Sequence, residues 1–182
     1  MKIAITGHTN GIGQALAKQY EQRGHEIVGL SRRNGFNIRS IPKVLNHISD
    51  CDMFINNAQA GYAQTELLYA VYERWLGQEG KLIINISTMA TSLPTCWNDS
   101  FEMDQYRTQK IALEEAHRQL LNRINWPKLC LIKPGEVNTG DHSGPKATDP
   151  DVWAKAVVDI LESVKPDMEI TELALGVNYH NG

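Results

Sequence analysis

Tyr106 and Lys110 stand four residues apart, in the pattern Tyr-x-x-x-Lys, within a segment spanning 104–122 that reads as the longest helix of the chain. That spacing puts both side chains on one helix face. An ammonium beside a phenol favours the phenolate, so Lys110 is expected to draw the Tyr106 pKa down from its ordinary value of about 10. A phenol tuned in this way can give a proton to a carbonyl oxygen or take one from an alcohol. The same spacing is common in surface pairs that do no chemistry, and it gains meaning only from its surroundings. Eighteen residues before the tyrosine, Ser87 and Thr88 close the apolar run KLIINIS. A hydroxyl there is placed either to hold a substrate oxygen or to cap local backbone.

Three further groups accompany the pair. Thr6 to Gly13 reads TGHTNGIG, directly after an N-terminal strand and opening a helix. Gly7 suits a tight turn, Gly11 a close backbone approach to a pyrophosphate, and Gly13 close helix–sheet packing. The helix N-terminus adds free N–H groups and the positive end of a dipole. A plain tight turn is the alternative. The second strand ends at Ser31-Arg32-Arg33, with no acid at its tip. An acid there would bind a free ribose hydroxyl, whereas arginine pairs with a 2′-phosphate. The arrangement favours NADP(H) over NAD(H), against the alternative of two solvated arginines. Finally, Ile55 to Ala60 (INNAQA) and Pro134 to Thr139 (PGEVNT) each leave a strand. Small residues in the first let backbone lie against a cofactor. The rigid turn in the second suits a ring-binding wall, with Thr139 able to hydrogen-bond an amide.

The elements that must position these groups alternate regularly. Short apolar strands are predicted at 2–6, 26–31, 53–56, 81–87, 129–133 and 169–173, with a minimal strand within 33–38. Helices are predicted at 11–23, 41–48, 65–77, 104–122 and 150–164. This is the pattern of β-α-β units on a parallel sheet with helices on both faces, an open doubly wound α/β fold. The 182 residues make a single domain, 1–182. A chain of this size buries about 70% of the surface its unfolded form exposes, so it holds a core without staples. Hydrophobic content of 42%, charged content of 21% and net charge −3 fit a soluble globular protein and give no field for nucleic acid or anionic lipid. No apolar run approaches the ~20 residues of a membrane span. Three scattered cysteines without CxxC spacing, and no leader pattern in MKIAIT, point to a reduced, cytoplasmic setting with no metal site.

Taken together, TGxxxGIG, NNA, the INIS strand with its hydroxyl pair, YxxxK and PGxVxT resemble the short-chain dehydrogenases/reductases. The motifs occur in the family's order and cover nearly the whole chain. The resemblance implies an NAD(P)-binding Rossmann fold and oxidoreduction of a small alcohol/carbonyl pair. It implies Tyr106 as general acid/base, with Lys110 lowering its pKa and binding the nicotinamide ribose. The family's serine falls on Thr88, with Ser87 just before it, and both are carried as candidates. Gln64 is the nearest counterpart of the family's helical asparagine. The cofactor residues implied are Gly7, Thr9, Asn10, Gly11, Ile12 and Gly13 at the phosphates, and Ser31, Arg32, Arg33, Asn37 and Ile38 toward the adenosine. Asn57, Ala58 and Gln59 lie along the cofactor. Tyr106 and Lys110 also contact it. Pro134, Gly135 and Val137 flank the nicotinamide, and Thr139 holds its carboxamide.

The departures are specific. NNAG is replaced by NNAQ, the crossover between Arg33 and Asn37 is nearly gone, and the substrate lid is reduced to a polar loop near 140–149. A shallow, open substrate pocket follows. NADP(H) is the expected cofactor, with NAD(H) possible. The competing reading is a nucleotide-binding regulatory or scaffold protein with little turnover. An epimerase-like enzyme is disfavoured because the C-terminal region leaves no substrate domain. The helices at 65–77 and 104–122 correspond to those that pair family subunits, which implies a homodimer or homotetramer. Tyr69, Tyr72 and Trp75 read as interface or core residues, with core the simpler reading; Trp126 and Trp153 read as packing residues, and Cys96 and Trp97 are candidate substrate contacts.

Overall fold

A computed structural model describes residues 1–92, 100–123, 126–140, 147–165 and 167–176. Its strands are β1 (Lys2–Thr6), β2 (Glu26–Leu30), β3 (Met53–Asn56), β4 (Leu82–Ile86), β5 (Lys128–Pro134) and β6 (Glu172–Leu175). Its helices are α1 (Gly11–Gln22), α2 (Ile41–His47), α3 (Ala63–Trp75), α4 (Phe101–Leu121) and α5 (Pro150–Glu162). Every strand pairing is parallel, in the spatial order β2-β1-β3-β4-β5-β6. Runs such as MFIN and LIINI lack polar alternation because helices cover both faces of the inner strands.

Two apolar layers result. Phe54, Ile83 and Leu129 face α3 and α4, where Leu67, Leu68, Val71, Trp75 and Leu113 are fully buried. Ile3, Ile5, Ile55 and Ile84 face α1 and α5, against Leu16, Tyr20, Trp153 and Val157. Trp153 also donates its indole N–H to the Leu175 carbonyl oxygen at 3.0 Å, which ties α5 to β6. Tyr72 and Trp75 are core residues, whereas Tyr69 is exposed. Trp126 is half-buried at the start of β5. No helix among the described residues is long and apolar enough to cross a membrane.

Local chemistry sets the helix starts. Asp149 accepts from the Asp151 and Val152 N–H groups, and Pro150 supplies the first turn of α5. Ser100 caps α4 through the Met103 N–H. Asn10, at the same position before α1, makes no side-chain cap bond, so its side chain leaves the first-turn N–H groups unclaimed.

Two expectations are corrected. The minimal strand within 33–38 is absent; Arg32–Asn34 forms a 3₁₀ turn instead. The Ser31 N–H donates to Asn34 Oδ1 at 2.8 Å, Asn34 Nδ2 returns to the Gly29 carbonyl at 2.7 Å, and Gly35 turns the chain at φ +85°. These bonds curl the segment away from the sheet edge. The last strand lies at 172–175 rather than 169–173, where it pairs with 131–134 of β5.

Candidate active site

The chain runs from β1 outward to β2, then returns to place β3 on the other side of β1. A crevice opens at such a switch point, beyond the C-terminal ends of the strands, and ligands of doubly wound sheets bind there. Thr6, at the end of β1, is fully buried, and its Oγ1 accepts from the Asn57 and Ala58 N–H groups, both at 2.9 Å. Asn57 Nδ2 donates to the Thr6 carbonyl at 2.9 Å. These bonds lock the two strand exits together beneath the glycine loop. Gly7 takes φ +72° to turn the chain there. A Cβ on Gly13 would sit 2.4 Å from the Gly7 carbonyl oxygen and 2.5 Å from Asn57 Nδ2. Only glycine lets α1 start this close to the sheet. Thr139 comes from the other side; its methyl lies 3.1 Å from where a Gly11 Cβ would be. The result is a backbone-lined cradle at an uncapped helix N-terminus, which fits a dinucleotide phosphate. A cleft of about 610 Å³ adjoins this loop between α1 and the start of α5, bordered by His8, Asn10, Gln14 and Thr139, and does not reach Tyr106.

The remaining cofactor candidates divide. Arg32 and Arg33 are exposed on their 3₁₀ turn at the tip of β2. Ser31 is buried, and its hydroxyl lies 3.1 Å from Asn34 Oδ1 within the same turn. Ile38 is a core residue, packed with Val44 and Leu67. The exposed Asn37 accepts from the Arg39 N–H at 3.0 Å. Ile12 is partly buried against the α1 layer, and Thr9 is half-buried at the loop. Gln59 bonds Gln109, the residue before Lys110, across to α4 at 2.5 Å. Pro134 ends β5, and the Gly135 N–H donates to the Leu175 carbonyl at 2.8 Å. Val137 is buried and bridges to Thr148. Cys96 and Trp97 lie outside the described residues, as does most of the 140–149 loop.

Tyr106, Lys110 and the hydroxyl pair meet where α4 passes the end of β4. The Thr88 hydroxyl stands near enough to the Tyr106 phenol to favour its ionised form. Ser87, the neighbouring candidate, is turned away and buried, donating to Glu114 Oε1 at 2.5 Å. Lys110 Nζ lies 5.7 Å from the Tyr106 ring centroid and donates to Gln64 Oε1 at 2.9 Å and the Ile86 carbonyl at 2.8 Å. Gln64 Nε2 in turn donates to the Asn56 and Ile86 carbonyls, at 2.7 and 3.0 Å.

The electrostatics correct one expectation. Burial pushes the Tyr106 pKa up, and the Thr88 hydroxyl opposes it only in part. Lys110 does not draw it down here, because its ammonium is engaged below the ring rather than at the phenol oxygen. Burial also lowers the Lys110 pKa to about 8, with the Glu114 carboxylate acting in the opposite direction. Sequence reasoning missed Glu114 and its partner Lys133, which lie 3.0 Å apart and are nearly buried. A signal was present: Glu114 continues the four-residue row Tyr106, Lys110, and Lys133 directly precedes Pro134.

Comparisons with known proteins bear on the fold. Residues 3–75 match the NAD dependent epimerase/dehydratase family. A 3-ketodihydrosphingosine reductase from Bacteroides thetaiotaomicron is 24% identical over 179 residues, with 76% of this chain covered. The chain spans 64% of that relative's length. A short-chain dehydrogenase/reductase from Vibrio parahaemolyticus superposes with a TM-score of 0.71, at 16% identity, over 97% of this chain and 99% of the other. The fold is that of the short-chain dehydrogenases/reductases. An alcohol dehydrogenase from Thermococcus sibiricus, complexed with 5-hydroxy-NADP, gives a TM-score of 0.71 at 18% identity, over 96% and 95% of the two chains.

Proposed function

We propose that this short-chain dehydrogenase/reductase fold binds a nicotinamide dinucleotide, NADP(H) in preference to NAD(H), and reduces or oxidises a small carbonyl/alcohol pair. The observation that carries the reading is Tyr106 stacked by a buried Lys110, with Thr88 beside its phenol, at the same sheet edge as the glycine cradle. The cofactor, when bound, supplies or accepts the hydride. Gly11 and Gly13, in the first turn of α1, would give its phosphates backbone N–H groups, while the Gly7 N–H is held by the Leu30 carbonyl at 2.7 Å and Thr139 stands against that loop.

Tyr106 handles the proton. Its raised pKa keeps the phenol protonated at neutral pH, so it is poised to donate to a carbonyl oxygen as negative charge develops there. Thr88 steadies the phenolate that donation leaves behind, and Lys110 is held beneath the ring by Gln64 and the Ile86 carbonyl. A Lys110 pKa of about 8 leaves most of that lysine cationic at pH 7. Arg32 and Arg33, exposed at the tip of β2, suit a 2′-phosphate.

Titration with NADPH and NADH, followed by cofactor fluorescence, tests the reading. Tighter NADPH binding that reverses in Arg32→Asp/Arg33→Ala, with ketone reduction lost in Tyr106→Phe, is expected. Failure to bind either dinucleotide would leave a structural glycine turn and favour the scaffold reading.

A further inference from the structure

Behind the proposed site lies a buried charge pair that the reaction chemistry does not use. Glu114 follows Lys110 by one more helical turn, inside α4. Its Oε2 accepts from Lys133 Nζ at 3.0 Å, and Lys133 also donates to Ser92 Oγ at 3.1 Å. Its Oε1 accepts from Ser87 Oγ at 2.5 Å and Thr91 Oγ1 at 2.8 Å. One carboxylate and its lysine therefore grip three hydroxyls of the segment running from the end of β4 through the 3₁₀ turn Met89–Ser92.

Thr88 sits inside that grip. Ser87 precedes it, and Thr91 Oγ1 lies 2.9 Å from the Thr88 carbonyl oxygen. The Ala90 N–H donates to Thr88 Oγ1 at 3.2 Å, so the Thr88 hydroxyl hydrogen is not committed to that bond and can turn toward Tyr106. Burying two charges is costly, and apolar residues of similar size often stabilise a core equally well. The three hydroxyls satisfy the lone pairs and protons that the pair alone leaves unmatched, so the pair and the 87–92 segment hold one another in a single geometry.

We infer that Glu114, anchored by Lys133, is a positioning residue: its Oε1 fixes the 87–92 segment and so aims the Thr88 hydroxyl at Tyr106. The inference rests on the proposed acid/base role of Tyr106 but is tested apart from turnover. The charged groups around Tyr106 include Asp104, Arg107 and Lys110 on its own helix and, one turn beyond Lys110, Glu114 with Lys133 of β5.

Two double variants separate geometry from charge. Glu114→Leu/Lys133→Met removes both charges and the acceptor. Glu114→Gln/Lys133→Met removes both charges but keeps an oxygen for Ser87 and Thr91. The Tyr106 phenol is titrated by NMR of protein labelled with ¹³C at tyrosine Cζ, assigned by the signal lost in Tyr106→Phe. NADPH affinity and reduction of a panel of small ketones are measured in parallel. In the Leu/Met variant, Tyr106 should titrate higher, as it should in Thr88→Val, the control that removes the hydroxyl itself. Its kcat should fall about tenfold or more, as a displaced catalytic group does, with NADPH binding unchanged. The Gln/Met variant should stay close to wild type in both. A folded Leu/Met variant with wild-type Tyr106 titration overturns the inference, as does a Gln/Met variant equally impaired. If the wild-type protein reduces no ketone, the enzyme reading fails while the titration still decides the role of Glu114.

Discussion

Lys110→Met isolates the energetics of the buried ammonium. Lys110 is 3% exposed, and burial holds its pKa near 8 against an ordinary 10.5. That gap corresponds to about 3 kcal/mol of cost to the folded state whenever the side chain is charged. Below pH 8 both folded and unfolded chains carry the proton, so the cost is present in full. Between pH 8 and 10.5 the folded chain has released a proton that the unfolded chain still holds, and stability rises with pH. Methionine has no such titration. At pH 7 the variant escapes the burial cost but deprives the Gln64 and Ile86 oxygens of their donor, at about 1–3 kcal/mol each. The two effects roughly cancel there. By pH 10 the cancellation is gone, and the wild-type protein should be more stable than the variant by most of that 3 kcal/mol. Urea unfolding of both proteins at intervals from pH 7 to 10 gives the difference directly, because every other group is shared. Stability curves that run parallel over this range would refute a depressed Lys110 pKa.

Two further substitutions test the packing that shapes the cradle. Gly13→Ala should cost about 1–3 kcal/mol and abolish dinucleotide binding, because the new methyl meets the Gly7 carbonyl, which cannot swing aside. A melting temperature and NADPH affinity equal to wild type would show that α1 can shift freely. Gly29→Ala places a methyl 2.3 Å from the His8 ring, a side chain rather than backbone. Its cost should shrink in a His8→Ala background, with a coupling of about 0.5 kcal/mol or more in a double-mutant cycle; additive costs would mean that the ring already moves.

What the sequence made legible was periodic or local. The strand runs were readable because helices on both faces demand continuous apolar residues, and the site pair because four residues make about one helical turn. The glycine loop was readable because its geometry has few alternatives to glycine. The misread features depend on side chains meeting across the fold. Ser87 and Thr88 are adjacent and chemically alike, yet both lie past the end of β4, where no strand alternation says which way each side chain turns. Ser87 turns to Glu114, and Thr88 stands near Tyr106. The Tyr106 pKa failed for a related reason. Spacing places an ammonium beside a ring, but the sign of the shift depends on where the ammonium's hydrogen bonds go, and here they go to Gln64 and Ile86. The missing edge strand depended on Asn34, whose side chain closes a turn that a pattern of apolar residues does not reveal. A helical row read to its third member would have exposed Glu114. Its partner on β5 is visible only once the sheet brings positions 114 and 133 together, so the device proposed to aim Thr88 belongs to the fold rather than to any motif.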